Sequence, residues 1–204
     1  MTEKKDIPLE KMPYAPDLFH VFRHLLNHPE LTRTYGGWIY KNIYYPDYLT
    51  VGGASYAIQR EALKHCIGHG IDIGAGYWPL PDAAPVDIWR GPGTNNTLDN
   101  YPDHSLDFIF SSHCLEHIEE WKRALTTWVK RLKPDGRLFL YLPHPNCAIW
   151  HPESPFINNG HKWIPTPDII QEALIDLNCA LIAKNDGPDA MQSFYICAKL
   201  KSIN

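Results

Sequence analysis

The residues best suited to chemistry begin at Gly70-Ile71-Asp72-Ile73-Gly74-Ala75-Gly76. Ile71 and Ile73 supply the β-branched bulk of a short buried strand. Gly74 and Gly76 leave no side chain between the backbone and a ligand. Doubly wound α/β proteins bind nucleotides at such junctions, beyond the carboxyl ends of their strands. Histidines mark similar junctions farther on. His113 and His117 bracket Glu116 after Phe108-Ile109-Phe110, His144 follows Leu140-Tyr141-Leu142-Pro143, and His161 lies in Asn158-Asn159-Gly160-His161-Lys162-Trp163. An imidazole at a strand's carboxyl end can serve as a general base, or it can cap the next helix or tie down the strand end. His144, Cys147, His151 and His161 raise the question of zinc, but their spacing fits no usual zinc pattern and no metal is expected. His20, His24 and His28, four apart, read as a polar helix face.

These groups need a scaffold, and the pattern alternates strand and helix. Residues 1–17 read as a loose charged arm and 18–29 as a helix, with Leu18, Val21, Phe22, Leu25 and Leu26 at helical spacing. Residues 33–53 interleave Tyr35, Trp38, Tyr40, Tyr44, Tyr45 and Tyr48 with turn residues. They form a satellite packing cluster, a lid over a pocket, or both. A helix over 55–66 takes Ser55 as its N-cap. Strands are predicted over 70–74, 86–89 and 106–110. A helix near 118–132 turns Trp121, Leu125, Trp128, Val129 and Leu132 inward and ends at Lys133-Pro134-Asp135-Gly136. A strand over 137–142, a helix over 166–177 capped by Thr166-Pro167-Asp168, and a hairpin-like pair of strands over 180–184 and 193–200 complete the chain. With no repeat or linker, one globular unit is expected: 1–54 as arm, helix and aromatic cap region, and 55–204 as the α/β domain.

Composition narrows the partners. The chain has 204 residues, 44% of them hydrophobic and 21% charged, as expected of a globular domain. A formal net charge of -4 and scattered Lys and Arg argue against nucleic acid. The five cysteines, at 66, 114, 147, 179 and 197, are odd in number and include no CxxC, which favours a reduced, cytoplasmic protein. The first residues contain no apolar core of a signal peptide, and no apolar run approaches the ~18 residues of a membrane span.

The order of parts resembles the class I S-adenosylmethionine-dependent methyltransferases from about residue 55 to the C-terminus. Gly70–Gly76 matches the first motif of that family, Asp87 its acidic residue after the second strand, and Leu132-Lys133-Pro134-Asp135-Gly136-Arg137-Leu138 its "LKPGG" turn. His113-Cys114-Leu115-Glu116-His117 resembles the "HxLEH" segment of a small-molecule and glycan-type subgroup. The resemblance implies a Rossmann-like, doubly wound, mostly parallel seven-stranded sheet with an antiparallel last strand. Its first helix and third strand are reduced. Only ten residues separate Gly76 from Asp87, with prolines at 79, 81 and 85, so a loop replaces the usual helix.

By the same resemblance the cofactor is S-adenosyl-L-methionine. Asp72, Gly74, Ala75 and Gly76 face its methionine half, Asp87 with Ile88 its ribose, Asn95 or Asn96 its adenine amino group, and Ser112 lines the site. Asp72 and Asp87 also have plain readings, as a backbone cap and a strand-end acid. Methyl transfer from a sulfonium is an in-line displacement, so the protein must align the nucleophile and exclude water. A base is needed only for a hydroxyl or a protonated amine. His113 is the first candidate, His144 the second, and Glu116 orients the segment or simply starts a helix. A fourth strand ending in SSHC argues against amino-methylation of DNA bases. The expected reaction is methylation of an oxygen, less readily a nitrogen, of a small metabolite or glycan precursor. A protein or peptide acceptor and a non-catalytic partner subunit of the same fold are the alternatives. A homodimer is compatible, and no membrane partner is expected. Pro79 at the third glycine position of a GxGxxG disfavours a nicotinamide dehydrogenase.

Overall fold

The computed structural model describes residues 25–47, 49, 53–76, 78–87 and 97–202. The chain divides into two compact units, Met1–Gly52 and Gly53–Asn204. The helix expected over 18–29 falls largely outside the described residues, as do Tyr48, Ile88, Asn95 and Asn96.

In the first unit the aromatic stretch is an antiparallel meander of β1 (Leu31–Thr34), β2 (Gly37–Tyr40) and β3 (Ile43–Pro46). Lys41 and Asn42 both adopt positive φ, 49° and 65°, the geometry of a two-residue hairpin whose twist suits its strands. Trp38, Tyr40 and Tyr45 are buried, whereas Tyr35 at the other turn is fully exposed. Arg33 grips the Asp47 carboxylate with both guanidinium nitrogens and lies 4.8 Å over the Trp38 ring.

The second unit is a six-stranded sheet in the order β5-β4-β6-β7-β9-β8. Its strands are β4 (Gly70–Ile73), β5 (Ala83–Val86), β6 (Leu106–Ser112), β7 (Leu132–Pro143), β8 (Cys179–Asn185) and β9 (Ser193–Leu200). β5, β4, β6 and β7 run parallel, and β9 is antiparallel to both neighbours. This is the expected doubly wound sheet with an antiparallel last strand. Six strands stand where seven were expected: among the described residues the reduced third strand has vanished into the connection between β5 and β6. No helix joins β4 to β5 among the described residues, in line with the proline-rich gap.

The second strand lies three residues earlier than expected, at 83–86 instead of 86–89. Pro85 is tolerated because β5 is an edge strand. α1 (Ala54–Ala62) buries Ala54, Ile58 and Ala62 at i, i+4 and i+8. It starts from Gly53 at φ 89°, so Ser55 is not its N-cap; the Ser55 hydroxyl instead donates to the Trp78 carbonyl at 2.7 Å. α2 (Trp121–Arg131) is shorter than expected and follows a 3₁₀ turn at Leu115–His117. It buries Leu125, Trp128 and Val129, and its last turn carries Lys130 and Arg131, favourable to its dipole. α3 (Pro167–Asp176) is capped as expected, Thr166 Oγ1 accepting from the Ile169 N–H at 3.2 Å. The core runs from Ile71, Ile109, Leu138 and Leu140 on the sheet to Leu125, Val129, Ile170 and Leu174 on α2 and α3. Among the described residues no helix is long and apolar enough to cross a membrane.

Candidate active site

The carboxyl ends of β4, β5 and β6 and the start of β9 bring together most of the residues singled out in the sequence. Gly74, at φ 79°, donates its N–H to the Val86 carbonyl at 2.9 Å, which folds the turn across the end of β5. A Cβ at Gly74 would stand 2.6 Å from Cys114 Sγ, so only glycine fits. Gly76, at φ 51°, donates its N–H to Asp87 Oδ2 at 2.6 Å, and a Cβ there would meet nothing within 4 Å. Open space at a backbone held in the left-handed region is what a ligand approaching the chain closely requires. Ala75 is buried between the two glycines, and Trp78 closes the turn by donating to the Ala75 carbonyl.

Asp72, inside β4, is buried. Its Oδ2 accepts from the Leu80 N–H at 2.8 Å and so anchors the loop that replaces the first helix. This is the backbone-capping role. Ser111 donates to the Ile73 carbonyl at 2.9 Å, tying β6 to β4. The hydroxyl of Ser112 is buried with no hydrogen-bond partner among the described residues. Such groups are uncommon in folded proteins unless water or a ligand satisfies them.

His113 adopts φ 48° as β6 ends. Its Nε2 lies 2.9 Å from Ser193 Oγ at the start of β9, and Ser193 in turn donates to the Met191 carbonyl. The other ring nitrogen, Nδ1, lies 3.7 Å from Glu116 Oε1. Burial, with His161 and His117 nearby, pushes the His113 imidazole down to about 3, so it is neutral at pH 7. Burial pushes Glu116 up to about 8. Glu116 is fully inaccessible, and neither carboxyl oxygen has a hydrogen-bond partner among the described residues.

His144 sits at the same edge after β7 but is built into a loop. Its Nδ1 accepts from the Asn146 N–H at 3.1 Å, and its N–H donates to the Gln192 carbonyl. Burial lowers its affinity for a proton, partly offset by a hydrogen bond to the Asp186 backbone. Of the four residues weighed for zinc, His161 alone belongs to a cluster of three ligand-type side chains among the described residues. The partners are Glu116 and His117, 44 or more positions away, a separation no spacing rule would have linked.

The sequence profile described as the methyltransferase domain matches residues 79–140. None of the curated proteins compared with the chain matches it in sequence. Solved structures resemble it clearly. An S-adenosylmethionine-dependent methyltransferase from Archaeoglobus fulgidus superposes with a TM-score of 0.55 at 19% identity, covering 75% of this chain and 97% of that one. A possible histamine N-methyltransferase from Thermotoga maritima gives 0.53 at 13%, covering 90% and 100%. The 1,6-didemethyltoxoflavin-N1-methyltransferase of Burkholderia thailandensis, solved with 1,6-didemethyltoxoflavin and S-adenosylhomocysteine, gives 0.52 at 17%, covering 72% and 77%. At such identities these structures establish the fold. Residues 79–140 match the methyltransferase domain and the sheet of the second unit has the fold of these methyltransferases, which together support an S-adenosylmethionine-dependent methyltransferase with S-adenosyl-L-methionine as its cofactor.

Proposed function

We propose that the enzyme methylates an oxygen of a small metabolite or glycan precursor. In this reading the cofactor lies across Gly74–Gly76, with Asp87 on its ribose and His113 taking the acceptor's proton. The observation that carries the cofactor placement is the 2.6 Å hydrogen bond from the Gly76 N–H to Asp87 Oδ2. It sets the Asp87 carboxylate against the glycine turn, and a carboxylate so placed can accept from vicinal ribose hydroxyls. Asp72 supports the turn through Leu80. Ser112 offers a buried hydroxyl beside it, and Ile88, Asn95 and Asn96 extend the site toward the adenine.

On the acceptor side, the His113 imidazole stands beside buried Glu116, its Nδ1 3.7 Å from Oε1, and in this reading it takes the proton of a hydroxyl aligned there away from water. His144, whose Nδ1 accepts from the Asn146 N–H, acts in this reading as a positioning residue. Nitrogen is the second acceptor class, favoured by the ring-nitrogen chemistry in the name of the Burkholderia enzyme.

Asp87→Ala is expected to weaken S-adenosylhomocysteine binding by about 1–3 kcal/mol, the scale of hydrogen bonds to a charged group. Calorimetric titration, with NAD as control ligand, reads it; unchanged affinity removes the ribose assignment. The acceptor is tested with methyl-labelled S-adenosylmethionine and paired panels of hydroxylated and aminated sugars and small metabolites. Label in alkali-stable ethers supports oxygen transfer. Label only in the amines, or only in added peptides, overturns it.

A further inference from the structure

Glu116 is an anomaly that methyl transfer does not use. A fully buried carboxyl with neither oxygen hydrogen-bonded loses its solvation without compensation unless something beyond the protein's own atoms satisfies it. Two imidazoles converge on it. His161 holds a buried Nδ1 with no hydrogen-bond partner among the described residues. Burial lowers the affinity of His117 for a proton, partly offset by the nearby Gly160 backbone. One ligand-type atom from each of Glu116, His117 and His161 lies within 4.8 Å of the others.

The supporting frame is tight. Lys162 donates its N–H to the Glu116 carbonyl at 2.8 Å, and the Trp163 indole donates to the Leu115 carbonyl at 3.0 Å. Trp121 and Trp163 stack at 4.2 Å. The segments carrying the three side chains are thus laced together by their backbones, so the side chains do not have to hold them.

The geometry points to a binding site for one divalent transition ion of the zinc class, ligated by Glu116, His117 and His161, with a coordination position left for water or another ligand. Zinc ligands at about 2.0–2.2 Å from the metal stand roughly 3.3–3.5 Å apart, so closing the present spread needs side-chain shifts on the order of 1 Å. Two imidazoles and one carboxylate suit zinc, cobalt or nickel and not magnesium or calcium, which prefer oxygen. His117 is exposed and gives the ion a way in. The expectation from sequence, that the chain holds no metal, is thereby replaced. This inference does not rest on the acceptor reading, since it concerns metal content alone.

The test is elemental analysis of the purified full-length protein, followed by chelation and titration with Co2+ and Zn2+. About one equivalent of metal per chain is expected, with visible cobalt bands of a four- or five-coordinate nitrogen and oxygen site. His161→Asn and His117→Gln should each weaken Zn2+ binding by more than about 100-fold. Glu116→Gln should abolish the cobalt bands while the protein stays folded by circular dichroism, because the amide has nearly the shape of the carboxyl it replaces. Less than about a tenth of an equivalent taken up by folded wild-type protein overturns the site, as does wild-type cobalt binding in the histidine variants. The wild-type spectrum decides the matter even where a variant fails to fold.

Discussion

His113→Asn is expected to lower turnover by about 10²–10⁴-fold, the usual contribution of a positioned general base, while S-adenosylhomocysteine binds as in the wild type. Asn suits the test because it tolerates the left-handed backbone found at this position, φ 48°. It also keeps a polar group facing Ser193 but has no basic nitrogen. Single-turnover rates with saturating cofactor, set beside calorimetric affinities, separate the two effects. Retained turnover would make His113 a positioning residue, held by Ser193 to shape the end of β6. A parallel loss of cofactor affinity would mean that it supports the glycine turn.

The second large effect comes from two glycines that look alike in the sequence. Gly76→Ala is expected to leave a folded protein that has lost cofactor binding by more than about 100-fold, some 2.7 kcal/mol. The added methyl meets no protein atom within 4 Å and only the backbone cost of φ 51° remains, about 1–2 kcal/mol. Gly74→Ala is expected to fail differently. Its methyl runs into Cys114 at a backbone φ of 79°, so crowding adds to the backbone cost. The sum is about 2–4 kcal/mol of stability, which in a domain of this size lowers Tm on the order of 5–15 °C. Differential scanning calorimetry with and without S-adenosylhomocysteine distinguishes the pair. A Gly76→Ala protein that binds normally would place the cofactor elsewhere.

Local signals in the sequence were strong where a single element decided the outcome. β4 and its glycine turn, the inner face of α2, the Thr166 cap of α3 and the antiparallel β8–β9 pair all follow from patterns within a dozen residues. The failures have physical causes of another kind. Ala83, Ala84 and Pro85 are poor strand formers, and they pair because β4 offers them an edge; that is a tertiary effect. Ser55 looked like a cap until the carbonyl of Trp78, 23 residues on, took its hydroxyl. Among the described residues no strand stands between β5 and β6, where a reduced one was expected. In the site, Asp87 was legible through its distance from the glycine turn. The partner of His113 was not, because Ser193 is 80 residues away. The Glu116, His117 and His161 cluster was hidden for the same reason.

The sheet order has a consequence for the order of events when the chain is made. β9 is the last strand, yet it lies between β7 and β8, and its first residue receives the His113 hydrogen bond. The glycine turn can form its bonds to Val86 and Asp87 once β4, β5 and β6 have emerged. His113 cannot be held until β9 inserts and the Asp189 carboxylate has gathered Tyr141, Met191 and Ser193 around it. The partners that fold the glycine turn therefore emerge before those that tether His113, and a nascent chain stalled before residue 193 has the first set without the second.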